Sequence, residues 1–209
     1  MRNKAGILCM FFGAALILAA LSLFLYNRHE DSAAELAAVE LLPQLMEAIE
    51  EKEAADTEPE TYDLPVGTPL EHLNPSAFVM TEVEIDGYAY IGYLTIPGLN
   101  LRLPIMADWD YPRLQIAPCR YTGSVRGEDL VLMAHNYASH FGGLSRLAPG
   151  DSVIFTDMDG IVTKYEVVAQ DILDPYAVAE MTSGDFDLTL FTCTYGGKSR
   201  VTVYCDRIS

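Results

Sequence analysis

The chain has 209 residues and a formal net charge of −17, and half of its residues are hydrophobic. This length suits one domain with accessory segments and is short for two full domains. The acidity is concentrated, because residues 30–86 contain 16 acidic residues and one basic residue, whereas residues 87–209 contain 14 and nine. Neither part offers the basic surface that phosphate groups require, so the composition excludes nucleic acid as an expected partner.

The first predicted element is a helix that is long and apolar enough to cross a membrane. Residues 5–26 contain no charged side chain, and a helix of this length spans about 33 Å. Arg2 and Lys4 precede it, which favours a cytoplasmic N-terminus and an extracellular remainder. The alternative is a cleaved signal peptide, but the apolar run is long for one and no small-residue cleavage site follows it. We therefore expect residues 1–28 to be a single-pass anchor in the cell membrane.

The next segment, residues 29–75, is predicted to be an acidic helical stalk and linker. Residues 33–55 are rich in Ala, Glu and Leu, with Leu42, Leu45 and Ile49 at near-helical spacing. Pro43 predicts an interruption or a kink in this helix. Residues 57–75 mix Pro, Thr, Glu and Gly without periodicity, which is typical of a spacer. We expect the whole segment to hold the following domain away from the membrane.

From residue 76 onward the sequence consists of short β-rich runs separated by turn residues. The candidate strands cover residues 90–96, 101–106, 129–134, 152–156, 163–171, 188–193 and 200–206. Short helical turns are predicted around residues 111–116, 140–147 and 175–181. Seven or eight strands at this spacing predict an all-β domain over residues 76–209, built as a small barrel or sandwich.

The cysteines of the sequence do not form a metal-binding pattern; they are Cys9, Cys119, Cys193 and Cys205. They include no C-x-x-C pair and no His/Cys cluster at zinc spacing, so we expect no structural metal. A Cys119–Cys205 disulfide stays open, because a sequence does not set the distance between two cysteines. Cys193 differs from the others, because it ends a strand-like run and is followed by the turn residues 194–197. A strand end beside a loop puts a side chain at a rim that a substrate can reach.

His135 and Arg200 are the candidate partners of Cys193. His135 also ends an apolar run, residues 130–134, and a thiol becomes a useful nucleophile near neutral pH beside an imidazole or another source of positive potential. Arg200 begins the run after the cysteine, so a hairpin would return its guanidinium to Cys193, where it favours a thiolate and donates to an oxyanion. Each residue also has an ordinary interpretation, as a core cysteine, a structural histidine or a solvated arginine.

In combination these residues resemble the sortase family of cysteine transpeptidases. Residues 189–193, T-L-F-T-C, match the T-L-x-T-C signature of sortases, and residues 130–136, L-V-L-M-A-H-N, are similar to the strand that delivers the sortase histidine. Arg200 occupies the place of the sortase arginine. Further similar segments follow the family's order, so that the resemblance runs from about residue 90 to residue 207; they are residues 93–97, 103–105, 147–151 and 165–167.

The resemblance implies a closed eight-stranded β-barrel and a two-step transpeptidation without a cofactor. Cys193 would attack the Thr–Gly carbonyl of an LPXTG-like sorting signal and form a thioacyl enzyme, and His135 would protonate the leaving amine. Arg200 would bind the signal and stabilise the oxyanion, with support from Thr192. The acceptor would be an amine of a peptidoglycan precursor or of a pilin. The resemblance leaves the subclass open among housekeeping anchoring, pilus attachment and a specialised role.

Two other functions compete with this interpretation. The first is a non-catalytic, membrane-tethered β-barrel that binds peptides, which predicts no thiol-dependent turnover. The second is a metal-dependent hydrolase that uses His135 and His140 with nearby carboxylates, which predicts sensitivity to chelators. The second is weakened because the sequence contains no H-E-x-x-H motif or comparable ligand spacing.

Overall fold

The computed structural model describes residues 2–56 and 79–208, and the predicted spacer at residues 57–75 lies outside the described residues. The strands are β1 (Val83–Ile85), β2 (Tyr88–Ile96), β3 (Leu101–Met106), β4 (Cys119–Thr122), β5 (Leu130–Ala134), β6 (Ser152–Asp157), β7 (Val162–Leu173), β8 (Leu188–Cys193) and β9 (Arg200–Arg207). The α-helices are α1 (Arg2–Asp56), α2 (Tyr111–Ile116) and α3 (Val178–Met181), and 3₁₀ helices cover Pro97–Leu99 and Phe141–Arg146.

The strands form one sheet that closes on itself. Its order is β1-β2-β3-β4-β5-β8-β9-β7-β6, and β2 also pairs with β6, so β2 to β9 make a closed eight-stranded barrel. The predicted fold class is therefore confirmed. β1 is an additional short strand, joined to β2 by a two-residue turn in which Asp86 and Gly87 have φ values of 52° and 80°, the backbone geometry of a tight hairpin.

Side chains alternate between the interior and the outer face of the barrel, as the period of a β-strand requires. In β5 and β8, the even-numbered residues are in the main core, for example Leu132 and Leu190, whereas Val131 and Phe191 belong to a separate cluster on the outer face. The same alternation along β9 puts Val201 and Val203 in the core. The final odd-numbered position of β8 and the first position of β9 therefore project outward.

The second half of α1 packs against the barrel. Leu41, Leu45 and Ile49, spaced by four residues, are buried in one cluster with Tyr90 and Met106. This spacing puts one apolar stripe on one helix face. The predicted stalk therefore packs on the barrel, and α1 continues through Pro43, which lies inside it.

The helix α1 lies alongside the barrel from one rim to the other. We call the ends of β5 and β8 and the start of β9 the upper rim, and the turn between β6 and β7 at the opposite end the lower rim. At the upper rim, Asp31 accepts hydrogen bonds from the backbone N–H and the hydroxyl of Ser139, at 2.9 and 2.6 Å. At the lower rim, Lys52 forms an ion pair with Asp159, which also pairs with Arg126.

Candidate active site

The sheet pairing brings the three predicted site residues to the upper rim. β5 and β8 are parallel with Ala134 opposite Thr192, so His135 and Cys193 are the next residues along two neighbouring strands. β8 and β9 are antiparallel with Cys193 directly opposite Arg200. Cross-strand neighbours on one face of a sheet lie about 4.5–5.5 Å apart at their Cβ atoms. A thiol, an imidazole and a guanidinium thus share one part of the rim.

Cys193 differs from the other barrel cysteines in its exposure. Its side chain is partly exposed, whereas Cys119 and Cys205 are free, buried thiols in separate core clusters. Burial raises the pKa of both buried thiols to about 12, and the carboxylates of Asp110 and Asp206 respectively add to the shift. A buried thiol with so high a pKa is unreactive near neutral pH. Within the described barrel, Cys193 is the thiol that a substrate can reach.

His135 lies half-buried beside the aromatic ring of Tyr137. The two ring centroids are 4.9 Å apart. Burial lowers the pKa of His135, and the carboxylate of Glu30 on α1 opposes that shift. The neutral imidazole is therefore favoured near neutral pH, and α1 contributes the charge that favours the imidazolium.

Arg200 contacts the loop between β8 and β9. Its Nη1 atom donates to the carbonyl oxygens of Gly197 and Ser199, each at 3.2 Å. Arg200 is therefore the cross-strand neighbour of Cys193, and its guanidinium holds the adjoining loop through these two hydrogen bonds. Its role in binding the substrate and stabilising an oxyanion stays a prediction.

Thr192 joins the two strand ends that carry His135 and Cys193. Its side chain is buried, with 3% exposure, and its hydroxyl donates to the carbonyl oxygen of Ala134 at 2.8 Å. This bond crosses from β8 to β5 one residue before the predicted nucleophile. The expected support of an oxyanion by Thr192 stays a prediction, and in this structure its hydroxyl fixes the register at the rim.

Replacement of Thr192 by valine should loosen the rim. The variant keeps the side-chain shape but leaves the buried Ala134 carbonyl without this donor, so we expect a loss of about 1 kcal/mol in the free energy of unfolding and a modest fall in kcat. The Thr192→Ser variant keeps the hydroxyl and serves as the control. Chemical denaturation and turnover would be measured on both, and equal stability of Thr192→Val and the wild type would contradict the role of this bond.

A cavity of about 680 Å³ lies between α1 and the upper rim. Its walls come from the loop after β5, from the end of β8 with the following loop, and from one face of α1. The residues from α1 are Phe24, Asn27, Arg28, Asp31, Ser32 and Glu35, and those from the barrel include Asn136, Tyr137, Cys193 and Tyr195. The predicted nucleophile therefore faces a space that α1 helps to enclose.

No pattern in the sequence indicates that α1 contributes to this site. Burial raises the pKa of Tyr137, and the negative charge of the nearby Glu30 carboxylate raises it further. Asp31 fixes Ser139 two residues beyond Tyr137. The spacing of Leu45 and Ile49 predicts a buried face on α1, but it does not indicate which loop of the barrel the helix contacts.

His140 is buried behind the site and not in the lining of the cavity. Its exposure is 0%, and neither ring nitrogen has a hydrogen-bond partner among the described residues. Its ring centroid lies 5.4 Å from that of Tyr137, which in turn lies 4.9 Å from that of His135. Across residues 2–56 and 79–208, no group of three or more His, Cys, Asp or Glu side chains is arranged to bind a metal ion.

His140 should make the fold sensitive to acid. Burial lowers its pKa to about 4, and the neighbouring His135 lowers it as well. Because an unfolded histidine binds a proton near pH 6.5 and the folded one does not, stability is lost as the pH falls from about 6.5 to 4, by on the order of 3 kcal/mol. The His140→Phe variant, compared with the wild type by denaturation at pH 7 and pH 4, should lose less stability on acidification. If His140→Phe and the wild type lose the same free energy of unfolding between pH 7 and pH 4, this role of His140 is contradicted.

The Sortase domain family model matches residues 94–208, which is more than half of the chain. The chain therefore belongs to the sortase family. The search of curated proteins finds no match.

Solved structures with the same fold include several sortases. Sortase A from Corynebacterium diphtheriae is 24% identical, with a TM-score of 0.54, over 58% of this chain and 62% of that chain. Sortase C1 from Streptococcus agalactiae is 26% identical, with a TM-score of 0.53, over 60% and 71%. Sortase C from Clostridium perfringens SM101 is 24% identical, with a TM-score of 0.53, over 81% and 90%. The chain spans less than two thirds of the first of these proteins.

Proposed function

We propose that this protein is a membrane-anchored cysteine transpeptidase that cleaves an LPXTG-like sorting signal and transfers the protein to an amine. The observation that carries the proposal is the meeting of Cys193, His135 and Arg200 on neighbouring strand ends beside a cavity. The acceptor would be an amine of a peptidoglycan precursor or of a pilin. Membership of the sortase family supports the reaction class.

The first step would form a thioacyl enzyme. The Cys193 thiolate would attack the carbonyl carbon of the scissile Thr–Gly bond, and the C–N bond would break as His135 in its imidazolium form protonates the leaving amine. The Arg200 guanidinium would stabilise the oxyanion of the tetrahedral intermediate. In the second step the neutral His135 would accept a proton from the incoming amine, which attacks the thioester and releases the thiolate.

The membrane anchor would be residues 5–26 of α1, with the N-terminus in the cytoplasm and the barrel outside the cell. α1 has the length and composition of a membrane-spanning helix, and the large apolar side chains of its first half are exposed. A membrane tether would raise the effective concentration of a substrate held in the same membrane.

Trapping of the thioacyl intermediate tests this proposal. The full chain in lipid nanodiscs would be incubated with a library of LPXTG-like peptides, quenched with acid and examined by mass spectrometry. We expect an adduct on Cys193 that disappears when an amine such as triglycine is added. Peptide binding without an adduct or thiol-dependent turnover would instead support the non-catalytic binding module.

The pH profile of turnover should depend on Glu30. At low pH the Cys193–His135 pair carries one proton too many for a thiolate to form beside an imidazolium, so activity rises with pH through the pKa of His135. Because Glu30 raises the pKa of His135, the Glu30→Gln variant should move the acidic limb of the kcat/KM profile to lower pH.

Glu35 provides the matched control for this prediction. It is an exposed carboxylate on the same helix and also lines the cavity. We expect Glu35→Gln to leave the acidic limb where it is in the wild type. An acidic limb that stays in place, or moves to higher pH, in Glu30→Gln would contradict the influence of Glu30 on His135.

A further inference from the structure

The docking of α1 fixes which end of the barrel is closer to the membrane, and this step rests on the proposed anchor. α1 is one helix from Arg2 to Asp56, and its uncharged segment ends at Tyr26. Asp31, which binds the upper rim, follows by five residues, or about 7.5 Å of helix. Lys52, which binds the lower rim, follows by 26 residues, or about 39 Å. The upper rim is therefore adjacent to the membrane and the lower rim is remote from it.

The uncharged segment itself reaches the candidate site. Phe24 lies inside this segment and lines the cavity that also contains Cys193 and Tyr195. Its side chain is 59% exposed. Phe24, near the end of the proposed membrane-spanning segment, and Cys193 therefore line the same cavity. The headgroup layer then begins close to the upper rim.

The loop between β8 and β9, residues 194–199, extends outward at this rim. Tyr195 is 91% exposed, and a Cβ at Gly196 or Gly197 would meet no atom within 4 Å. The two hydrogen bonds from Arg200 to the carbonyls of Gly197 and Ser199 hold the loop in this shape. An exposed tyrosine beside a membrane-spanning helix is typical of the membrane–water interface, where its ring contacts lipid and its hydroxyl contacts water.

Charges at this rim do not favour a purely electrostatic contact. Glu30, Asp31 and Glu35 are acidic, and Arg28 and Lys198 are the nearby basic side chains of α1 and of the loop. With both signs present, attraction to anionic lipid is partly cancelled. The aromatic ring and the short distance from the membrane-spanning segment are therefore the features that favour lipid contact.

We infer that the upper rim faces the membrane and that the loop of residues 194–199 lies in the headgroup layer, with Tyr195 in contact with lipid. The partner of this surface is the bilayer in which α1 is anchored. A sorting signal then reaches Cys193 along the membrane surface and not from the bulk solvent.

Quenching of tryptophan fluorescence by brominated lipid tests this inference. The full chain would be reconstituted in phosphatidylcholine nanodiscs, with and without bromine on the acyl chains near the headgroups. Trp109, the single tryptophan of the chain, would be replaced by phenylalanine, which keeps an aromatic ring against Tyr121. One tryptophan would then be introduced in turn by Tyr195→Trp, Ile161→Trp or Leu21→Trp. Ile161 is 54% exposed beside Asp159 at the lower rim, and Leu21 is 50% exposed within the uncharged segment.

We expect bromine to quench the Leu21→Trp and Tyr195→Trp variants at least twofold and to leave Ile161→Trp unchanged. Absence of quenching in Leu21→Trp would contradict the anchor itself and so the membrane part of the proposed function. Quenching in Leu21→Trp without quenching in Tyr195→Trp would overturn the lipid contact of the loop while the anchor stands. Quenching in Ile161→Trp would overturn the proposed orientation of the barrel.

Discussion

The Cys193→Ala variant should retain the fold and lose essentially all transpeptidation. Removal of a covalent nucleophile leaves only the binding contribution to catalysis, so we expect turnover of an LPXTG-like peptide to fall by roughly 10³-fold or more. Because the Cys193 side chain is partly exposed at a rim, its truncation creates no sealed cavity, and the free energy of unfolding should change by less than about 0.5 kcal/mol. Peptide cleavage and chemical denaturation would be measured on the same preparation.

Cys119→Ala provides the control for this result. Cys119 is buried on β4, opposite Met133 of β5. Its side chain belongs to the core cluster under α1 and does not line the cavity beside Cys193, so its truncation should cost about 1 kcal/mol of stability and leave turnover near that of the wild type. Loss of activity in Cys119→Ala, or retained activity in Cys193→Ala, would remove Cys193 from the role of nucleophile. Equal peptide affinity in the wild type and Cys193→Ala with no turnover in either would favour the binding module.

The Arg200→Lys variant should lose most activity although it keeps the positive charge. A lysine ammonium is a point charge and does not reproduce the planar fork of the guanidinium, and removal of one oxyanion donor reduces kcat by roughly 10²–10³-fold. The loss of activity should have a second cause, because Arg200 also donates hydrogen bonds to the carbonyls of Gly197 and Ser199 and so holds the loop. A fall in kcat would report the oxyanion role, whereas a rise in KM alone would report only a change in the loop.

Arg207→Lys is the matched control on the same strand. Arg207 ends β9 at the opposite rim, where it pairs with Glu128 at 3.2 Å and donates to the carbonyl of Val125 at 2.7 Å. Its replacement should reduce stability slightly and leave kcat unchanged. Near-normal turnover in Arg200→Lys would exclude Arg200 from the mechanism.

The strands that carry the site could be predicted from the sequence because their signals are local. Strand-like runs with turn residues at their ends predicted both bounds of β8, Leu188–Cys193, correctly. They predicted the start of β5 to within one residue and its end correctly. The pairing of β5 with β8 is not a local property, and the meeting of His135 with Cys193 was expected only from the resemblance to sortases. β1 and β4, of three and four residues, are too short for a periodic signal.

The contribution of α1 could not be predicted because it depends on contacts between distant parts of the chain. Asp31 and Ser139 are separated by 108 residues, and neither residue has a neighbour in sequence that indicates the other. Acidic residues on a helix are usually solvated, so the sequence gives no reason to place those of α1 in a site. In the structure, Glu30 and Asp31 face the candidate site, and Lys52 closes an ion pair at the other rim.

The apolar stripe on α1 has a consequence for any soluble form of this protein. Cleavage at residue 76, where the β-rich sequence begins, would remove Leu41, Leu45 and Ile49 and expose the side chains of Tyr90 and Met106 that they cover. Such an uncovered patch favours self-association. A fragment that starts near residue 29 keeps the half of α1 that covers this patch and lacks the exposed apolar half, so the barrel surface under the helix stays covered in aqueous buffer.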